Sequence, residues 1–65
     1  MNQIKRARLI AGLTLRELAD LLGVSYVSVW KWEHGESFPN VKRLKQVADA
    51  LNTTVGDLLP KERAV

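Results

Sequence analysis

The chain has 65 residues, enough for one small domain, and a domain of that size buries only about 60% of its unfolded surface. Ten Lys and Arg against seven Asp and Glu leave a net charge of +3, while zero cysteines and one histidine exclude disulfides, thiolate catalysis and zinc–thiolate centres. No run approaches the ~20 apolar residues of a membrane span, and the N-terminus lacks the apolar core of a signal peptide, so the expectation is a cytoplasmic protein.

In chain order, five helices are expected and no strand, because no window alternates with period two for long enough. Ile4, Ala7 and Ala11 recur at i, i+3, i+7, which predicts a first helix from Asn2 to Ala11, ended by Gly12. Leu9 and Ile10 wind to its other side; they either lie under the last helix, the preferred reading, or form an exposed partner surface. Thr14 with Glu17 three residues on is a capping box opening a second helix, about Leu15–Leu22, whose inward face is Leu18, Ala19 and Leu22. Gly23 stops it, since a sharp reversal there needs φ > 0. Ser25 caps a third helix, about Tyr26–Glu33, with Val29 and Trp32 inward. Gly35 to Pro39 reads as a loop. Asn40 caps a fourth helix carrying the stripe Val41, Leu44, Val47, Ala48 and Leu51. Thr54 and Asp57 open a short fifth helix ended by Pro60, which sets a domain over residues 1–60 and a frayed tail over 61–65.

Charge is unevenly spread. Residues 1–16 hold Lys5, Arg6, Arg8 and Arg16 with no acid, and Lys42, Arg43 and Lys45 cluster at the fourth helix. Such patches suit a polyanion, although a merely solvated basic surface has the same composition. Winding the third helix at 100° per residue points Val27 and Lys31 directly away from the core, with Ser28 on one flank and Tyr26 and Trp30 on the other. Trp30 either stacks with Tyr26 on the rim or folds against the fourth helix. No nucleophile–base pair, metal-ligand set or phosphate-cradling glycine loop is present, so neither catalysis nor a cofactor is expected.

Two short helices joined by a tight glycine turn, Leu13 to Glu33, with a small Ala19 where they cross, make a helix-turn-helix pattern. Around it, Leu13-Thr14, Glu17-Leu18-Ala19, Leu22-Gly23-Val24-Ser25, Trp32-Glu33-His34-Gly35, Pro39, Ala50-Leu51 and Asp57-Leu58-Leu59 stand where one family has similar residues. The chain resembles the Cro/repressor-type helix-turn-helix proteins from about Ile4 to Leu59. The resemblance implies an all-α, five-helix, lambda-repressor-like domain acting as a sequence-specific, repressor-like regulator on double-stranded DNA. By position it makes Tyr26, Val27, Ser28 and Lys31 the base-reading candidates, with Val27 on a thymine methyl and Lys31 on guanine or phosphate. Phosphate contacts are expected at Thr14, Leu15, Arg16, Ser25, Ser37, Asn40, Lys42 and Arg43. Two departures bear on this set: Leu15 stands where Gln is common, and Glu36 where bases are frequent.

The resemblance further implies an ion pair of Arg8 with Glu33, linking the first and third helices; an Arg8 free for phosphate is the alternative. It also implies a homodimer on DNA that meets near Leu51, Asn52, Thr53 and Val55, or secondarily at Leu9 and Ile10. Neither a small-molecule ligand nor a membrane partner is expected, and over 65 residues no sensor domain is expected. The rival reading is a protein-interaction module of the same fold, such as an antirepressor; an antitoxin would be a subtype of the DNA-binding reading.

Overall fold

The computed structural model describes residues 2–60, which form helices joined by turns and irregular loops, with no strand among them. Five helices follow one another: α1 Gln3–Ile10, α2 Leu15–Leu22, α3 Tyr26–Glu33, α4 Val41–Ala50 and α5 Val55–Leu58. The expected tail at 61–65 lies outside the described residues. No described helix is long and apolar enough to cross a membrane.

Each helix begins on a polar side chain that satisfies backbone N–H groups left over at its first turn. Asn2 does so for α1, accepting from Ile4 N at 2.7 Å and Lys5 N at 3.1 Å, so the residue expected to open the helix stands just outside it as the cap. Thr14 and Glu17 exchange bonds as a full capping box, with Glu17 N donating to Thr14 Oγ1 at 3.0 Å and Thr14 N to Glu17 Oε1 at 2.8 Å. Ser25, Asn40 and Thr54 cap α3, α4 and α5 in the same way. At α5 the carboxylate of Asp57 accepts a hydrogen bond from the Thr53 hydroxyl at 2.9 Å, so the second half of a capping box is replaced by a neighbouring threonine.

The core draws on all five helices: Ile4 from α1, Leu18 and Ala19 from α2, Val29 and Trp32 from α3, Leu44, Val47 and Ala48 from α4 with Leu51 at its end, and Leu58 from α5. Burying these side chains is the main favourable contribution to a fold this small. α2 meets α3 and α4, while α1 meets α3 and α5. Four expectations need correction. Ala11 is exposed because α1 stops one residue earlier and Ala11 becomes its C-cap, leaving Arg8 to fill the inward position. Val41 is 81% exposed, since the first turn of α4 overhangs the core that Leu44 begins to fill. Leu9 and Ile10 stay largely in solvent rather than passing under α5, which is a single turn and too short to cover them. Leu51 is only 5% exposed, a core residue with little surface to offer a partner.

The α2–α3 turn depends on Gly23, at φ +71°, where its N–H bonds back to Ala19 and Asp20 carbonyls. A Cβ built there would meet no atom within 4 Å, so the obstacle to any other residue is the left-handed backbone itself. Gly23→Ala is expected to lower stability by about 1–2 kcal/mol, read from urea or thermal unfolding, with an unchanged helical spectrum.

Candidate nucleic-acid interface

α3 is held in place by its inward half and displays its outward half. Val29 is fully buried, and Trp32 and Glu33 are nearly so. Glu33 receives two charge-assisted bonds from Arg8, Nε to Oε2 at 2.7 Å and Nη2 to Oε1 at 3.1 Å, a bidentate pair with both side chains almost removed from solvent. Arg8 Nη1 donates to the Leu13 carbonyl at 2.8 Å, so the pair also ties the α1–α2 connection to α3. At the other end of α1, Asn2 Nδ2 donates to the Trp32 carbonyl at 2.8 Å. Two polar clamps therefore fix α3 against α1, and they account for every buried polar side chain among the described residues.

The opposite side of α3 carries Tyr26, Val27, Trp30 and Lys31. Val27 is 48% exposed, a branched apolar side chain with no core function, on the same face as Lys31, which forms no ion pair among the described residues. Ser28 is half-buried, and its hydroxyl lies 3.3 Å from Ser25 Oγ, so it is drawn toward the cap and away from the three other base-reading candidates. Trp30 takes neither expected course. Its ring stacks on His34 at 3.9 Å between centroids and 16° between planes, and His34 Nδ1 lies 2.8 Å from the Trp30 carbonyl. Residues 26, 30 and 34 follow each other at i, i+4 spacing, so Trp30 meets the ring one turn later instead of the one before. The Arg16 guanidinium lies over the Tyr26 ring, its Cζ 5.2 Å from the ring centroid, which joins the N-terminal ends of α2 and α3.

The phosphate candidates differ in what they have left to offer. Thr14, Ser25 and Asn40 spend a side-chain oxygen on their own helix; what remains for a ligand is a hydroxyl proton or the Asn40 amide. Leu15 is half-buried against the core, so only its backbone N–H, free at the start of a helix, can serve an anion. Arg16, Ser37 and Lys42 are exposed. Arg43 is different: its Nη1 donates to the Leu22 carbonyl at 3.1 Å and to Gln46 Oε1 at 2.8 Å, closing the C-terminal end of α2. Sequence reasoning missed this role, because nothing local marks a guanidinium that reaches 21 positions back.

A helix-turn-helix family model matches residues 4–58. The chain is 32% identical over 64 residues to the HTH-type transcriptional activator BcrR of Enterococcus faecalis, covering 98% of this chain and 31% of that one. It is 38% identical over 45 residues to the cryptic phage CTXphi transcriptional repressor RstR of Vibrio cholerae, covering 69% and 40%. The chain thus spans between about a third and two fifths of these relatives' lengths. No solved structure matches it.

Proposed function

The chain belongs to the helix-turn-helix family, and on that premise we propose that it binds double-stranded DNA as a transcriptional regulator, with α3 in the major groove. The observation that carries the reading is the division of α3 itself. One face is clamped by Arg8–Glu33 and the Trp32 carbonyl, while Val27, Lys31 and Tyr26 are left to solvent. Apolar and cationic side chains side by side on an exposed helix are what base edges recognise. The unit that binds is taken as residues 1–60, a binding domain and not an enzyme, needing no cofactor, small molecule or membrane. Repression is the leading outcome, although one relative is named an activator and the other a repressor. A single short α3 covers a few base pairs, so two copies on adjoining half-sites, about 10 bp apart, give the bound form.

Lys42 and Arg16, exposed on α4 and α2, supply backbone contacts without base preference. Measured by anisotropy on any mixed-sequence duplex, affinity is expected to fall with salt by ~0.9 log unit per log unit for each neutralised phosphate. Lys42→Ala should weaken all duplexes alike and reduce that slope by about one. A flat salt response would favour the rival, a protein-binding module, for which acidic Glu36 in the α3–α4 loop is the supporting observation.

A further inference from the structure

The most exposed apolar side chains of α1 and α2 sit among charges of opposite sign. On α1, Ile10 is 77% and Leu9 49% exposed. Ile10 follows Gln3 and Arg6 along one edge of a shallow groove whose other edge is Thr53 and Asp57. The cations α1 can show a partner are Lys5 and Arg6, since Arg8 is buried against Glu33, and the helix has no acid; Asp57, the carboxylate across the groove, is bonded to Thr53 within its own turn. On α2, Leu21 is 62% exposed and belongs to two shallow grooves at once. Leu13, Glu17 and Asp20 line the first, and Leu22, Gln46, Asp49 and Ala50 the second. Three of the chain's seven acids therefore line the grooves beside one protruding leucine. Glu17 is bonded in its capping box, and the Arg43 guanidinium lies at the rim of the second groove on Leu22 and Gln46. Arg8–Glu33 is the ion pair found among the described residues, so Arg6, Asp20 and Asp49 have no such partner there.

We propose that the α2 face centred on Leu21 docks on the α1 face of a second copy of this chain, centred on Ile10. The occupant follows from charge. A partner for Leu21 must bring an apolar side chain flanked by cations, and α1 of the same molecule has that composition, with Arg6 one turn before Ile10. Neither face uses Tyr26, Val27 or Lys31, so α3 remains free while copies touch. Three exposed leucine and isoleucine side chains make a small contact, in the class that is transient in solution. The contact joins unlike faces, so it links copies head to tail and is separate from the two-fold pairing on adjoining half-sites. The contact itself does not rest on the DNA reading.

The test omits DNA. Sedimentation of the free protein at about 10 mM salt, where charges act over ~30 Å, should show concentration-dependent association that disappears near 1 M, where they act over ~3 Å. Arg6→Glu and Asp20→Arg should each weaken association about tenfold, by turning attraction into repulsion. The double variant, which swaps the charges, should return to within about threefold of the original, an interaction only a direct pairing gives. Leu21→Ser, at an exposed position, should abolish association with the helical spectrum intact. A monomer at every concentration in low salt would overturn the proposal. So would a swap no better than its single variants, or association that survives Leu21→Ser. None of these results bears on whether α3 binds DNA.

Discussion

Glu33→Ala is expected to destabilise the domain by about 3–5 kcal/mol, because Arg8 would keep its buried charge and lose its counter-ion. A domain of this length has a total stability toward the low end of about 5–15 kcal/mol, so the variant should be largely unfolded or melt more than ~15 °C lower. The size of the effect follows from geometry: two bonds at 2.7 and 3.1 Å with the Glu33 side chain 1% exposed. Arg8 retains its bond to the Leu13 carbonyl, which satisfies one N–H and leaves the charge uncompensated. Replacing both partners by apolar residues of similar volume should therefore cost less than removing Glu33 alone. Urea unfolding of the single and double variants checks this; a Glu33→Ala loss below about 1 kcal/mol would show that the pair does not hold α3.

The second large effect concerns recognition. With Val27 and Lys31 both changed to alanine, the fold should persist, since neither side chain enters the core. Preference for a selected duplex over a scrambled one should fall by at least about tenfold, each contact being worth roughly 1–3 kcal/mol of discrimination. The two positions are four apart on one helix and share a face, so their losses need not add. Residual binding should keep its salt slope, because the phosphate contacts of Arg16 and Lys42 remain. Competition titrations on paired duplexes measure both quantities. Unchanged discrimination in a folded double variant would remove these residues from the reading face.

Most of the fold was legible because the decisive signals are local. Thr14-x-x-Glu17, Gly23 and Ser25 each set a boundary within a few residues of themselves, and α2 and α3 begin and end where those signals place them. What escaped was tertiary. Whether Val41 or Leu44 starts the buried stripe of α4 depends on how far the helix overhangs α2, which periodicity does not report. For Leu9 and Ile10 the preferred reading, cover by the short last helix, fails and the exposed alternative holds, because four residues of α5 do not reach across them. The outward face of α3 follows from winding alone, but the partners of its aromatic rings do not. Trp30 chose His34 and Tyr26 lies beneath Arg16, choices made by side-chain rotamers across a turn and between helices. Arg43 looked like a free cation in sequence and is engaged by the Leu22 carbonyl.

Selection of bound duplexes from a random pool by the purified protein tests the central claim, α3 as a base-reading helix, most directly. The expected result is enrichment of one short motif, repeated with two-fold symmetry about 10 bp apart. That enrichment should disappear in the Val27→Ala/Lys31→Ala variant, while salt-dependent binding to unselected DNA persists. Retention of the pool without enrichment of any motif, or the same motif enriched by the double variant, would contradict the assignment of α3.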